Sequence, residues 1–286
     1  MQVKKIVLEG WVPGLLLVLA LLAFLYFQNN NIVINRIDLR LGQLPKAFNG
    51  YKIIHLSDLH NKSFGKNQKY LVKKIKNEQA DIIVFTGDLI DSRRGDGKDA
   101  IELMERIQKI APVYYVSGNH EGRIRYFERL ERTLLQEGVT VLRNDCLQLE
   151  KDGQYISIIG IDDPAMENGA LGDLAVTKER INFAMEGLPA KDSFKILLSH
   201  RPEMFSLYSK YGMDIIFTGH AHGGQVRLAR IGGLFAPHQG ILPKYTTGYY
   251  TRGLSTMIVN RGLGNSIFPQ RLFNRPEIVV VELFNG

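Results

Sequence analysis

Two histidines, His220 and His222, stand one residue apart in a chain that contains seven histidines in all. The mostly apolar run 213–218 precedes them and is typical of a buried strand, so the pair lies where a strand ends and a glycine-rich loop begins. Neutral imidazole is a common metal ligand, and two imidazoles at one strand end could bind an ion. Taken alone, the pair could equally be two polar residues of a loop.

Four other predicted strands also end in carboxylate, amide or imidazole side chains. These side chains are Asp58, His60, Asp88, Asn119, His120 and His200. Ligands collect at the carboxyl ends of the strands in an open α/β sheet, so the five strand ends could meet at one site. Each short motif alone is typical of a turn or a helix cap, but structural need does not explain all of them at the same end of five strands.

The types of donor atom indicate which metals would fit. Imidazole and carboxylate together suit Mn, Fe or Zn, and the single cysteine, Cys146, excludes an internal disulfide and a cysteine-rich zinc site. The candidate ligands are Asp58, His60, Asp88, Asn119, His200, His220 and His222. Because this set exceeds what one tetrahedral ion requires, we expect two divalent ions that share one carboxylate.

Strands and helices alternate in the part of the chain that contains these motifs. Strands are predicted at 32–39, 52–56, 81–85 and 112–116, and helices at 67–77, 100–110 and 124–136. Closely spaced strands follow at 139–142, 146–150 and 155–161, then a helix at 176–185, a strand at 194–198 and a helix opened by Pro202. Further strands are predicted at 224–228, 248–252, 255–260 and 278–284. The pattern predicts one α/β domain with two packed sheets and helices outside.

An uncharged apolar run at 11–27 precedes this domain. It is close to the lower length limit of a membrane-spanning helix, and Trp11, Tyr26 and Phe27 at its ends suit the membrane interfaces. The segment that follows lacks the small residues of a signal-peptide cleavage site, which favours an uncleaved anchor. A buried core helix fits less well, because the run is apolar on all sides. We therefore expect an anchor and polar linker at 1–31, with 28–31 as the linker, and one domain at 32–286.

The basic residues around the apolar run bear on its orientation. Lys4 and Lys5 precede the run and would stay in the cytoplasm, which places the domain on the extracytoplasmic side. Arg36, Arg40 and Lys46 follow it and weaken that bias. The whole chain has a net charge of +7, which suits anionic partners. Its basic residues are dispersed and form no nucleic-acid-binding motif, so a solvated surface explains them.

The motifs D-x-H, G-D-x-x-D, G-N-H-E, a lone His and G-H-x-H occur in this order between residues 52 and 222. In this order they resemble those of the calcineurin-like metallophosphoesterases. The segments 223–227, 261–264 and 275–277 resemble the membrane-associated or exported phosphodiesterase branch of that family. Ala221 departs from the pattern, since Thr is commoner between the two histidines, but it carries no ligand atom. The resemblance implies a four-layer αββα sandwich of two mixed sheets flanked by helices, here preceded by one N-terminal transmembrane helix.

The resemblance also implies a role for each motif. Asp58, His60 and His222 would hold a first ion, Asn119, His200 and His220 a second, and Asp88 would bridge them. A metal-activated hydroxide would attack the phosphorus of a phosphodiester or pyrophosphate. His120 would face the phosphate, and would protonate the leaving group or stabilise charge in the transition state.

Several other residues have both a functional and a structural interpretation. Arg201 and Arg261 are weak candidates for contacts with substrate phosphate, and ordinary salt bridges explain them better. Asp91 and Glu121 could orient the histidine ligands or could be exposed acids of a turn. His55 is expected to be a packed core histidine, and His238 lies in a glycine- and proline-rich loop that could border the substrate or be mobile.

Two other functions remain compatible with the sequence. One is a non-catalytic, membrane-tethered metal-binding module, against which the presence of His120 argues. The other is a lipid pyrophosphatase of the UDP-diacylglucosamine type, for which an apolar groove lined by Leu234, Phe235, Ile241 and Leu242 would be the sign. A nucleotide or cell-envelope phosphodiester fits the sequence equally well.

Overall fold

The computed structural model describes residues 2–167, 171–188, 194–266 and 268–286, with side chains from residue 11 onward. The side chains of Lys4 and Lys5, on which the predicted orientation depends, lie outside the described part. The helices are α1 Gln2–Asn30, α2 Lys69–Glu78, α3 Lys98–Gln108, α4 Phe127–Gln136, α5 Asp173–Glu186 and α6 Phe205–Lys210.

Sixteen strands lie among the described residues. They are β1 Val33–Arg40, β2 Tyr51–Leu56, β3 Ile82–Thr86, β4 Val113–Val116, β5 Thr140–Val141, β6 Asp145–Lys151, β7 Gln154–Gly160 and β8 Phe194–Leu198. The remaining strands are β9 Ile215–Thr218, β10 Arg227–Leu228, β11 Gly232–Gly233, β12 Phe235–Ala236, β13 Gly240–Ile241, β14 Gly248–Arg252, β15 Ser255–Val259 and β16 Glu277–Phe284.

Two six-stranded sheets carry the fold. The first has the order β1-β16-β2-β3-β4-β5 and the second the order β14-β15-β9-β8-β7-β6. Both are mixed, because β16 is antiparallel to β2 in the first, and β14 to β15 and β6 to β7 in the second, whereas the inner strands are parallel. The strands β10 to β13 form two small hairpins outside the sheets.

Alternate residues of the inner strands enter different cores. In β2, Ile54 packs towards the helices α2 to α4 and Ile53 towards the other sheet. In β8, Ile196 packs between the two sheets and Leu197 towards α5 and α6. Strands buried on both faces need apolar residues at successive positions, which explains why these runs do not alternate with polar residues. The three cores separate four layers, and the predicted αββα sandwich is confirmed.

Helix α1 precedes the sandwich. Its segment Trp11–Asn30 is long and apolar enough to cross a membrane, and almost all of it is exposed outside the domain. The helix continues through Asn30, so the prediction of a polar linker from residue 28 is wrong over most of its length. Contacts with the domain, described below, stabilise this last turn. The division into 1–31 and 32–286 stays a prediction.

The predicted strand at 224–228 is also wrong. A short 3₁₀ turn occupies His222–Gly224, and only Arg227–Leu228 form a strand. Gly223 and Gly224 have positive φ, which glycine allows and which turns the chain sharply after the histidine pair.

Candidate metal centre

Five strands bring the candidate ligands to one edge of the sandwich. Asp58, Asp88 and Asn119 follow β2, β3 and β4 of the first sheet, whose strands run parallel. His200 and His220 follow the parallel strands β8 and β9 of the second sheet. The site therefore joins the carboxyl ends of strands from both sheets, as expected for a ligand site in an α/β structure.

Glycines allow the loops of the two sheets to lie this close. A Cβ atom on Gly87 would lie 2.6 Å from the backbone nitrogen of Gly118 and 2.9 Å from Nδ1 of His200. Gly87 also has a φ of +83°, a conformation that side chains disfavour. A larger residue would push Asp88 away from the second sheet.

The backbone at the site is strained in a consistent way. Five of the seven candidate ligands have positive φ, namely Asp58, His60, Asp88, His220 and His222. Each left-handed residue other than glycine costs on the order of 1–3 kcal/mol, and such strain concentrates at functional sites. The rest of the fold therefore holds these side chains in a convergent arrangement that is locally unfavourable.

One group of four buried side chains forms the first half of the site. It consists of Asp58, His60, Asp88 and His222, whose ligand atoms lie within 4.8 Å of one another. The Nε2 atom of His222 lies 3.3 Å from Oδ1 of Asp58 and 3.1 Å from Nε2 of His60. The Nε2 atom of His60 lies 3.6 Å from Oδ2 of Asp88.

The second half is built around His200. Its Nε2 atom lies 3.2 Å from Oδ1 of Asn119, 3.0 Å from Nδ1 of His220 and 3.4 Å from Oδ2 of Asp88. Asp88 therefore belongs to both halves through the same oxygen. The structure brings all seven candidate ligands together and places His220 and His222 in different halves.

The hydrogen bonds of His200 test whether a cation fits. Nδ1 of His200 lies 2.7 Å from the carbonyl oxygen of Thr86, which can only accept, so Nδ1 carries the proton. In the neutral ring Nε2 then presents a lone pair to the oxygens of Asn119 and Asp88. A cation shared by these three atoms removes the repulsion between them, and the site thus fits a metal ion.

The pKa values at the site also indicate that it favours positive charge. Burial disfavours the charged form of His200, but Asp88 outweighs it and raises the pKa of His200 to about 10. Burial, with a contribution from Asp88, raises the pKa of Asp58 to about 7. Protonated His200 thus supplies the positive charge that stabilises these buried carboxylates, and a metal ion would supply it in place of that proton.

Comparisons with known proteins agree with this geometry. A family model described as calcineurin-like phosphoesterase matches residues 51–224. The chain belongs to this family. It is 30% identical to the uncharacterized metallophosphoesterase YkuE of Bacillus subtilis over 264 residues, which are 90% of this chain and 87% of YkuE.

Two further comparisons concern the N-terminal helix and the fold. The transmembrane protein with metallophosphoesterase domain of Danio rerio is 25% identical over 256 residues, which are 86% of this chain and 56% of that protein. The crystal structure of TT1561 of Thermus thermophilus superimposes with a TM-score of 0.51 and 16% identity, over 74% of this chain and 90% of that one. The predicted family, with its membrane-associated branch, is confirmed.

His120 lies beside both halves of the phosphoesterase site. Its backbone N–H donates to Oδ1 of Asp88 at 2.8 Å, and its Nδ1 accepts from the backbone N–H of Ser92 at 3.0 Å. Nε2 lies 4.0 Å from Oδ2 of Asp88. Burial lowers the pKa of His120, so the ring is neutral, and the Ser92 contact leaves the proton on Nε2.

Asp91 and Glu121 are both buried, which contradicts their interpretation as exposed turn acids. Asp91 pairs with Arg93 and Arg94, and its Oδ1 lies 3.5 Å from Nδ1 of His120. Glu121 accepts the backbone N–H groups of Asp88 at 2.9 Å and Gly118 at 2.7 Å. Among the described contacts Glu121 therefore holds the ligand loops, and no histidine, in place.

The two candidate arginines form structural ion pairs. Arg201 is buried and donates to Asp163 at 2.8 Å and to Asp173 at 3.2 Å. Arg261 donates to Glu277 at 2.8 Å. These pairs match the structural interpretation of both residues, and a contact with substrate stays a prediction.

The sequence left two interpretations open for His238, a residue at the border of the substrate or one in a mobile loop, and the structure places it beside a candidate ligand. Its ring centroid lies 5.1 Å from that of His220, and its Nδ1 contacts Arg201. The hairpin of β12 and β13 brings it there, and the local sequence contains no pattern that would predict this placement. His55, in contrast, is fully buried and pairs with the hydroxyl of Thr86 at 2.8 Å, as expected for a core histidine.

Proposed function

We propose that this chain is a dinuclear metal-dependent phosphodiesterase that hydrolyses a phosphodiester or pyrophosphate bond. The observation that carries the proposal is the sharing of Asp88 by two groups of buried ligands. Asp58, His60 and His222 would hold one ion, and Asn119, His200 and His220 the other. Mn, Fe and Zn all suit these donors.

Two divalent ions, when bound, would lower the pKa of a shared water and neutralise charge on the phosphate oxygens. The protein's own contribution is to fix the ligands and the leaving group. Because Ser92 occupies Nδ1 of His120, the Nε2–H group is free to donate a hydrogen bond to the departing ester oxygen. A neutral imidazole with a lowered pKa suits this stabilising role better than full protonation.

We further propose that α1 anchors the enzyme in a membrane, with the catalytic domain on the extracytoplasmic side. The length and apolar character of Trp11–Asn30 support the anchor, and so do relatives described as transmembrane proteins. The orientation is supported only by the lysines that precede the span in the sequence.

The test is hydrolysis of bis(p-nitrophenyl) phosphate by the full-length protein in detergent, alongside p-nitrophenyl phosphate and a pyrophosphate. We expect turnover of the diester that disappears on chelation and returns with added Mn²⁺. A matched variant, Asp152→Asn, changes an exposed turn acid and should leave the rate unchanged. Full activity of the chelated sample would contradict the metal mechanism, and preference for the monoester would contradict the diesterase.

A further inference from the structure

The end of α1 is fastened to the catalytic domain beside the metal centre. The Asn29 side chain accepts from the backbone N–H of Arg271 at 2.8 Å and donates to the carbonyl of Pro269 at 3.1 Å. Gln270 donates to the carbonyl of Leu25 at 3.1 Å, and Lys62 donates to that of Asn29. The carbonyl of Asn29 lies in the last turn and lacks a helical partner, so Lys62 caps α1, and the other contacts fix its direction.

Aromatic contacts extend this attachment along the helix. The rings of Phe24 and Phe273 lie 5.9 Å apart, and the guanidinium of Arg275 lies 5.2 Å from the ring centre of Phe27. Arg275 also donates to Asn31 at 2.6 Å. The helix is therefore held against the domain on several sides, and its membrane-spanning axis sets how the domain faces the bilayer.

A polar cleft of about 390 Å³ runs from the helix end to the metal centre. Its lining residues are Asn29, Asn30, His60, Asn61, Lys62, Arg94, Gly95, Asn265 and Pro269. His60 is a candidate metal ligand, and Asn29 and Asn30 belong to the last turn of the span. The lining contains no acidic side chain. Its two basic residues are already engaged, Lys62 with the carbonyl of Asn29 and Arg94 with the carboxylate of Asp91, but in the described contacts each keeps further N–H groups for an anionic group.

An apolar cleft of about 640 Å³ lies along the same end of the helix. Its lining includes Ala23, Tyr26, Phe27 and Asn30, which share one helical face, together with Phe64 and Tyr70 of the domain. Asn30 lines both clefts. At 1.5 Å per residue, Ala23 lies about 10 Å deeper along the span than Asn30, at the depth of acyl chains.

We propose that the two clefts bind one phospholipid of the bilayer, with its phosphate in the polar cleft and its acyl chains in the apolar cleft. The occupant is an anionic lipid because the polar side has no carboxylate and offers the remaining N–H groups of Lys62 and Arg94, and because both clefts lie at the end of the proposed span. The proposal rests on the proposed phosphodiesterase function and gives its substrate class. The anchor helix is then a wall of the substrate site as well as a tether.

Competition measures lipid binding whether or not the lipid is cleaved. Full-length, metal-loaded protein in mixed micelles hydrolyses bis(p-nitrophenyl) phosphate while phosphatidylglycerol or its deacylated form, glycerophosphoglycerol, is added. We expect phosphatidylglycerol to compete at least about tenfold better, the gain from burying roughly two methylene groups or more. Equal competition by the deacylated form would show a phosphate site without a lipid site, and would overturn the proposal.

A pair of variants locates the binding. Ala23→Phe fills the apolar cleft, whereas Ala20→Phe makes the same change on the same helix at a position that lines neither cleft. We expect Ala23→Phe to weaken phosphatidylglycerol competition about tenfold, and Ala20→Phe to leave both the competition and the diester rate unchanged. Unchanged competition in Ala23→Phe would overturn the assignment of the acyl chains.

A binding measurement separates this proposal from the proposed function. A phosphatidylglycerol with a photoreactive acyl chain should label peptides containing Tyr26, Phe64 or Tyr70, and Ala23→Phe should reduce the labelling. Labelling elsewhere only would overturn the lipid proposal even in an active enzyme. A metal-loaded protein that cleaves no diester would instead refute the proposed function.

Discussion

The two halves of the metal centre share Asp88 but differ in charge and in surroundings. The half around Asp58 contains two carboxylates and borders the cleft that leads to the end of α1. The half around His200 has the amide of Asn119 in place of a second carboxylate and borders His238. Because an extra negative ligand strengthens the binding of a cation, we expect the first half to fill before the second.

The difference in charge indicates that the two halves bind metal ions with different affinity. The first half would hold its ion more firmly, and it lies on the side from which the proposed membrane lipid would approach. The second half is closer to neutral apart from the shared Asp88, and its ion would be easier to remove. Variants that affect both halves, one half or neither should therefore have clearly different effects.

Asp88→Asn should have the largest effect, because Asp88 contributes to both halves. We expect the diesterase rate to fall by roughly 10⁴-fold, since the lost charge stabilisation amounts to several kcal/mol. Metal content, measured by elemental analysis, should fall for both ions. A variant that keeps both ions and most of its activity would show that Asp88 does not bridge them.

His220→Ala and His222→Ala should each remove one ion and lower the rate by roughly 10³-fold, as one of two catalytic ions is lost. In a Mn²⁺ titration, the ion that His220→Ala retains should bind at least about tenfold more tightly than the ion that His222→Ala retains, because it faces both carboxylates. The matched control is His238→Ala, which should keep both ions. If both variants lost the same ion, the separation of the two histidines would be wrong.

His120→Ala should lower the rate by roughly 10²-fold or more while both ions stay bound, because His120 acts on the leaving group. The loss should be smaller for a substrate whose leaving group is more acidic, since that oxygen needs less stabilisation. Rates for diesters of graded leaving-group pKa provide the measurement. Equal losses across the series would indicate a structural role.

His55 lies outside both halves of the metal centre. Its substitution should have the smallest effect of the series, and only on the stability of the fold. Burial lowers the pKa of His55 to about 3, so the folded protein resists protonation while the unfolded chain takes up a proton below pH 6.5. The contribution of neutral His55 to the free energy of unfolding is complete above pH 6.5 and is lost as the pH falls towards 3. The loss is about 2 kcal/mol at pH 5.

Urea unfolding of metal-free protein at pH 7 and pH 5 measures this loss. His55→Leu should lose about 2 kcal/mol less than the wild type between the two pH values, because leucine does not titrate. The other histidines are common to both proteins and cancel in the difference. Parallel losses would show that His55 is accessible to protons in the folded state.

Most strands and helices of the sandwich could be predicted from local patterns. The apolar runs of β2, β3 and β4 and the helical periodicity of α2 to α4 depend on residues that are near neighbours in sequence. The candidate ligands could be found for a related reason, since each directly follows such a run. The family motifs then suggested which residues share an ion.

Features that depend on distant contacts could not be predicted in this way. Residues 28–30 look like a polar linker, but Asn29 pairs with residues 269–271, about 240 positions away, and the helix continues. His238 reaches His220 because the short hairpin of β12 and β13 brings it there. The sequence around Asn29 and around His238 contains no pattern that would indicate these distant partners.

The position of β16 has a consequence for how the protein is made. β16 lies between β1 and β2, paired with β1 from Val33 opposite Glu277 to Arg40 opposite Phe284. It is synthesised after every other described strand, whereas its partner β1 is the first of them. β1 therefore stays unpaired until translation has passed Phe284, and a stop codon before Glu277 would leave that strand exposed to aggregation and proteolysis.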